Sequence, residues 1–398
     1  MTKTIENLTD NKRLVITLLR KHNKLTKKEL ASLGNMGWAT VVKIINQLLD
    51  DKIVQIWGVS DSEYSKVGKS AISYTLSENY PLAIGIDNEL LTTRIVLVNL
   101  HGDILFEKKY KTPKTVEIDE SCKFLEKSIH DFIKINNIDL DLIKGIGIGK
   151  SGLSFPSIFY PGHINISKIQ RKYLMKAFNT EVRIETNSRV YALFEQYVNE
   201  QFKYNDLFFL QIRKGIGTGI ITDGNLYNGV QGLSGEISHI QVVENGTQCR
   251  CGNYGCMETV VNEVYLYNQY RQLILKENNS SEIINDKVLR EGLADLFSLA
   301  ANNNEIAIDI VKKAAKYLGY CISMAIIVLD IPNIIISGHF GEDGTILEKY
   351  LKEEIENQIL KNMPLNVHYE PLDTEGFVQG AAFLILKDYL YNVTYKNK

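Results

Sequence analysis

Gly235-Glu236-Ile237-Ser238-His239, followed by Cys249-Arg250-Cys251-Gly252-Asn253-Tyr254-Gly255-Cys256-Met257-Glu258, is the most informative stretch of this chain. Three thiols and one imidazole (His239, Cys249, Cys251 and Cys256) make a complete tetrahedral donor set for a structural Zn²⁺, with no position left for water. Gly252 and Gly255 let the backbone curl around an ion. The chain has five cysteines, the other two being Cys122 and Cys321. Crowding three of them into eight residues favours a metal over disulfides in a chain without a signal peptide. The bland alternative, free thiols beside an unrelated histidine, leaves that density unexplained. Glu236 lies three residues before His239 and Glu258 two after Cys256, so both are tied to the metal-braced loop. Rigid carboxylates of this kind suit acceptance of hydrogen bonds from sugar hydroxyls. Taken singly, either glutamate reads as a solvated surface residue.

Around this loop the pattern is α/β. Strand-like runs at 207–212 and 219–222 flank the turn Asp223-Gly224-Asn225, and helices lead to 314–329 and a strand at 333–337. The region before it repeats the theme. Strands at 82–87, 94–100 and 104–109 precede a helix at 117–135 and a buried strand at 143–148. A loop rich in Gly, Ser and Pro follows at 151–165, then a helix at 166–178, a strand at 182–185 and a helix at 188–202. Two successive units of hairpin strands, helix and strand predict two similar lobes around a cleft. The expected division is 1–76, 80–190 and 191–398, with the last helix either staying in the second lobe or returning to the first.

The first 76 residues differ in kind. Leu14, Ile16, Leu18 and Leu19 form an apolar stripe. Thr26 and Glu29 make a capping box for a second helix, which Gly34-Asn35 breaks. Val41, Ile44, Ile45, Leu48 and Leu49 share one face of a third helix at about 37–49. Helix, Gly-containing turn and helix form the helix-turn-helix pattern. Strands at 53–57 and 71–76, with a loop carrying Lys66, Gly68 and Lys69, complete a wing. Trp38, Ala39, Thr40 and Lys43 are the residues the third helix would offer to a major groove, with Lys66 and Lys69 reaching the backbone or minor groove. A small helical interaction domain is the competing reading. Charge favours DNA: residues 1–56 hold ten Lys/Arg against five Asp/Glu, a local +5 that leaves −7 for the rest of a chain of net charge −2.

Composition narrows the remaining classes. At 398 residues the chain has room for two or three domains. With 44% hydrophobic and 23% charged residues and a mean hydropathy of −0.12, it is neither a long disordered chain nor a coiled coil. No run is long and apolar enough for a transmembrane helix, and the N-terminus has no apolar core, so the sequence predicts a cytoplasmic protein.

The quoted loop resembles the signature of the ROK family, which comprises repressors and sugar kinases. Gly215-Ile216-Gly217-Thr218-Gly219-Ile220 resembles that family's second phosphate loop, and Asp223-Gly224 follows it as in the family pattern. Ser337-Gly338 sits where the family has a Gly pair near the nucleotide, and Gly380-Ala381-Ala382 resembles the closing helix. The N-terminal winged helix-turn-helix is similar to that of the family's repressor branch, which includes the xylose and N-acetylglucosamine repressors. The resemblance implies an actin-like, hexokinase-like two-lobe fold.

Two departures from the kinase pattern stand out. Kinases of the family carry an Asp-x-Gly-Gly-Thr-like first phosphate loop, whereas this chain reads Asp87-Asn88-Glu89-Leu90-Leu91-Thr92. Backbone approach to a phosphate needs those glycines, and Glu89 would repel the anion. Asn187, in Glu185-Thr186-Asn187-Ser188, stands where the resemblance places the catalytic Asp. An amide cannot act as general base, a role worth roughly 10²–10⁴-fold. Thr186 replaces a sugar-contacting Asn.

The expectation is therefore a repressor of carbohydrate genes. It would be a homodimer or dimer of dimers on double-stranded operator DNA, with structural Zn²⁺, no catalytic residue and no membrane partner. Asn187, Glu236, His239 and Glu258 would bind a small neutral sugar. Two alternatives remain open: a sugar kinase that kept a DNA-binding head, and a regulator whose cleft no longer takes sugar.

Overall fold

The computed structural model describes residues 9–60, 71–114, 117–150, 166–199, 204–276 and 285–390. The head comprises α1 (Asp10–His22), β1 (Leu25–Thr26), α2 (Lys27–Leu33), α3 (Trp38–Asp50), β2 (Val54–Ser60) and β3 (Ala71–Leu76). The capping box forms: the Glu29 N–H donates to Thr26 Oγ1 at 3.3 Å, and the Thr26 N–H donates to Glu29 Oε2 at 2.7 Å. Val15, Ile16, Leu19, Leu30, Val41, Ile45 and Leu48 fill the head's core. The two-residue β1 joins the wing hairpin in the order β1-β3-β2, a strand too short for periodicity to signal.

The first lobe follows as β4 (Leu82–Asn88), β5 (Thr92–Val98), β6 (Ile104–Lys111), α4 (Ile118–Ile135), β7 (Ile143–Lys150), α5 (Ile166–Phe178), β8 (Glu181–Thr186) and α6 (Asn187–Phe194), with a π-turn at Glu195–Asn199. Its sheet order is β6-β5-β4-β7-β8; β4, β7 and β8 run parallel, and the hairpins are antiparallel. Leu82, Ile84, Ile86, Leu125, Ile129, Phe132 and Val182 pack one of its cores.

The second unit is built the same way: β9 (Leu207–Ile212), β10 (Ile216–Thr222), β11 (Asn225–Leu226), α7 (Glu258–Val261), α8 (Glu263–Leu273), α9 (Asp286–Ala301), α10 (Glu305–Leu329), β12 (Asn333–Gly338), α11 (Thr345–Glu356) and β13 (Asn366–Pro371). Its order, β11-β10-β9-β12-β13, matches the first sheet strand for strand. Ile334, Ile335 and Ile336 are all buried, as expected for a central parallel strand. The α10 helix begins nine residues earlier than the apolar pattern indicates, at an Asn304 cap whose side chain accepts from the Ala307 N–H.

The final helix, α12 (Glu375–Leu386), returns to the first sheet. The side chains explain this placement. Gly85 and Gly147 are register partners on β4 and β7. A Cβ on Gly147 would stand 1.7 Å from the Ala381 carbonyl oxygen, and one on Gly85 would stand 2.1 Å from that of Val378. Only glycines let the helix backbone come so close. The chain thus divides into Met1–Lys203 with Glu375–Val393, and Tyr204–Thr374. The expected break after residue 190 moves to 203, because the π-turn stays with α12: the Tyr197 ring stacks on Phe383 at 5.8 Å. The helix expected at 188–202 is correspondingly shorter.

The head packs within the first unit. Arg13 Nε donates to the Asp388 carbonyl at 3.0 Å. Arg20 is buried, donates Nη2 to the His101 carbonyl at 3.1 Å and lies 4.8 Å over the Phe383 ring. Burial pulls its pKa down to about 9. No helix among the described residues is long and apolar enough to cross a membrane.

Candidate functional site

Within the second unit, the quoted loop closes on itself through short backbone contacts. Gly235 has φ +84°, and a Cβ there would stand 2.0 Å from Thr218 Oγ1. That hydroxyl donates to the Gly235 carbonyl at 2.6 Å. This contact fixes the start of a 3₁₀ turn, Ile237–His239, whose N-cap is Glu236. Isolated bridges pair Gln241 with Cys256 and Gln248 with Tyr254, folding the cysteine segment back over the histidine.

The result is a compact donor cluster. One ligand atom each from His239, Cys249, Cys251 and Cys256 lies within 4.8 Å of all the others. Cys249 Sγ is 3.4 Å from His239 Nδ1, and Cys251 Sγ is 3.6 Å from Cys256 Sγ. A tetrahedral ion with metal–sulfur bonds of about 2.3 Å and a metal–nitrogen bond of about 2.0 Å requires edges of roughly 3.5–3.8 Å, so the residues fit such an ion. Burial raises the pKa of Cys249, and burial with the neighbouring thiols pushes Cys256 up to about 12. Burial also lowers the pKa of His239, against the opposing pull of Glu258. A divalent cation reverses the thiol preference, because it stabilises thiolate.

Glu258 is buried, and its partner is one the spacing did not identify. Arg250, between the first two cysteines, holds it in two places: Nε to Oε1 at 2.8 Å and Nη2 to Oε2 at 2.9 Å. The Ile216 N–H also points at Oε2, at 3.4 Å. The only sequence signal was a cation placed between two ligands. Glu236 and His239 share one turn, and the charge of Glu258 acts on the imidazole, so these three predicted residues are neighbours.

Asn187 lies in the first unit at the start of α6 and is buried. Its Nδ2 donates to Asp87 Oδ1 at 3.2 Å, while its Oδ1 is buried without a partner among the described residues. The turn at Glu89–Leu91 leaves Leu90 82% and Leu91 68% exposed.

In the head, Trp38, Ala39, Thr40 and Lys43 all lie on the exposed side of α3, opposite buried Val41, Ile44, Ile45 and Leu48. Trp38 is 59% exposed, so it is not part of the head's core. Trp57, at a bulge in the wing hairpin, is 60% exposed and was not singled out by its spacing. Lys66 and Lys69 lie outside the described residues, as does the whole loop at 151–165.

The family model of the ROK family matches residues 83–388. The chain belongs to the ROK family. Among curated ROK relatives, the N-acetylglucosamine repressor of Escherichia coli O157:H7 is 25% identical over 96% of this chain and 93% of its own length. The xylose repressor of Bacillus subtilis (strain 168) is 23% identical over 96% of this chain and 97% of its own. A solved ROK family transcriptional regulator, a homolog of the E. coli MLC protein, superposes with a TM-score of 0.74 at 23% identity, covering 96% of both chains. The ROK hexokinase of Thermus thermophilus gives 0.59 at 19% identity; it is covered over 97% of its length but matches only 76% of this chain. The fold is thus a helix-turn-helix head on the ROK two-lobe, hexokinase-like body.

Proposed function

We propose that this chain is a sugar-responsive, DNA-binding transcriptional repressor of carbohydrate genes, with a ROK body that binds a sugar without phosphorylating it. The carrying observation is that one chain holds both an exposed α3 face and a ROK body. Repressor relatives match it end to end, whereas the ROK hexokinase fold leaves about the length of the head unmatched. A cytoplasmic homodimer, or a dimer of dimers, would set two α3 helices in successive major grooves of a roughly palindromic operator. Ala39 would meet a thymine methyl, Thr40 a base edge or phosphate, and Lys43 a phosphate. Lys66 and Lys69 would touch the adjacent backbone.

Zn²⁺ bound by His239, Cys249, Cys251 and Cys256 would brace the loop and stabilise thiolate at the three cysteines. With one ring nitrogen on the metal, the ring of His239 would be oriented so that its other N–H meets a sugar hydroxyl. Glu236 and Glu258 would accept from neighbouring hydroxyls, with Arg250 holding the Glu258 carboxylate in place. Asn187 would keep a hydrogen bond to the sugar without serving as a base. The exposed Leu90 and Leu91, with Glu89 beside them, make a poor cradle for phosphate. A sugar that favours one arrangement of the heads weakens or strengthens operator affinity, and DNA changes sugar affinity by the same factor.

The test pairs an operator gel shift, run over a panel of pentoses, hexoses and amino sugars, with an ATP-coupled phosphorylation assay. A sugar-dependent shift without ATP turnover is the expected result. Sugar-dependent ATP turnover by the unmodified chain would favour the kinase reading, and an unshifted operator across the panel would favour a body that takes no sugar.

A further inference from the structure

The long helix α10 of the second unit has an ordinary inner side and an unusual outer one. Inside, Ala314, Leu318, Cys321, Ile322 and Ile326 share one core with Leu210 and Ile336 of the sheet. Along one flank lies α11, where a Cβ on Gly319 would stand 2.8 Å from Glu354 Cβ. Over the first half of the helix the exposed positions are Glu305, Ile306, Asp309, Lys312, Lys313 and Lys316, a solvated face. Over the second half they are Tyr320, Met324, Ile327 and Val328.

From Tyr317 to Leu329 the helix contains no Asp, Glu, Lys or Arg, an uncharged run of about 20 Å. Tyr320, Met324 and Ile327 are each nearly half exposed, and Val328 is 81% exposed. Their spacing of four, three and one residues puts them in a single stripe. Scattered apolar residues are normal on a surface, whereas a contiguous apolar stripe marks an interaction site. A helix that is apolar on every side is buried as a rule. The second half of α10 is apolar on every side and leaves this one open.

The ends of the stripe carry exposed charges of opposite sign. Lys316 lies one turn before Tyr320, and Asp330 caps the helix just beyond Val328. Met324 is midway between Tyr320 and Val328. When two copies of the helix cross antiparallel at Met324, Tyr320 of one meets Val328 of the other, and Lys316 of one approaches Asp330 of the other. A parallel crossing would set lysine on lysine and aspartate on aspartate. The stripe is therefore complementary to itself about a two-fold axis, the commonest symmetry of homodimers.

We infer that this stripe of α10 is the surface by which two copies of the chain associate, antiparallel and centred on Met324. The choice of a second copy rests on the repressor reading above, whose two-fold operator calls for paired heads. A standard interface takes about 800 Å² from each partner, so the stripe forms its apolar centre and the two Lys316–Asp330 pairs its rim. Rim charges add little affinity but fix direction.

The test is sedimentation velocity on the full-length protein from nanomolar to high micromolar concentration. The unmodified chain should dimerise. Met324→Glu with Val328→Glu buries charge at the apolar centre and should weaken the dimer at least about 100-fold, with an unchanged circular dichroism spectrum because both side chains are exposed in the monomer. Asp309→Asn, on the charged half of the same helix, should leave the dimer unaltered. Lys316→Asp and Asp330→Lys should each weaken it by several-fold, and the two together should restore it, since only an antiparallel crossing pairs them. The double-glutamate variant should also lose affinity for a full palindromic operator while keeping that for an isolated half-site. A dimer that this variant leaves as tight as before would overturn the inference and leave the repressor reading standing, as would a stripe that instead binds vesicles containing phosphatidylserine. An unmodified chain that stays monomeric would overturn it too, and if that monomer also selects no palindromic site the repressor reading falls with it.

Discussion

The two lobes are the same five-stranded sheet built twice, and they differ at the turn after the first strand. In the second lobe that turn is Arg213-Lys214-Gly215, a tight reversal in which the Arg213 N–H donates to the Gly215 carbonyl at 2.9 Å. Beside it lie Glu258, Arg250 and the four metal-type donors. In the first lobe the same turn carries Glu89 and two exposed leucines. Equal topology thus supports unequal chemistry. One lobe keeps a loop of charged and ligating groups under tight backbone constraint, and the other presents apolar side chains where a phosphate cradle would need bare backbone.

If the second lobe's chemistry depends on the metal, breaking the donor set should have the largest effect. Cys251→Ser is expected to cost about 4 kcal/mol or more of stability, the range reserved for lost metals and disrupted networks. Elemental analysis should fall from one zinc per chain to near zero, and the sugar response should vanish while the head still binds DNA weakly. Metal-free wild type prepared without chelators would refute this. The next effect tests the backbone constraint. Gly235→Ala places a side chain in a left-handed conformation against Thr218, and should cost about 1–3 kcal/mol and weaken sugar binding through Glu236.

The head provides a milder test. Arg20→Gln removes a buried cation–π contact and one hydrogen bond to the first lobe, and should lower the thermal midpoint by roughly 1–3 kcal/mol equivalent. If α1 relays the body's state, the sugar-dependent change in operator affinity should shrink with it; an unaltered change would mean that the signal bypasses this contact. Lys43→Ala should lower the salt slope of operator binding by about one, and an unchanged slope would remove Lys43 from the phosphate contacts. The smallest effect expected is none. Asn187→Asp should leave sugar phosphorylation absent, because Leu90 and Leu91 still occupy the first turn. Activity in that variant would show that the first lobe tolerates ATP.

Much of this was legible because it depends on local chemistry. The capping box at Thr26–Glu29, the apolar face of α3 and the donor set from His239 to Cys256 are short-range patterns, and each element lies within two residues of where spacing places it. The return of α12 to the first sheet was not fixed by its own residues, since it depends on Gly85 and Gly147 nearly three hundred and more than two hundred residues earlier. The Arg250 clamp on Glu258 was missed because an arginine between two cysteines also reads as a solvated loop cation.

The most direct test of the repressor reading is operator affinity measured with and without sugar on the same full-length protein. DNA selected from a random duplex library by the protein would be labelled and titrated by fluorescence anisotropy against a panel of sugars, sugar phosphates and sugar acids. A palindromic site should emerge, and at least one compound should change its affinity about tenfold or more, the scale of a 1–3 kcal/mol coupling. Selection of no preferred sequence, or an affinity that no compound in the panel alters, would contradict it.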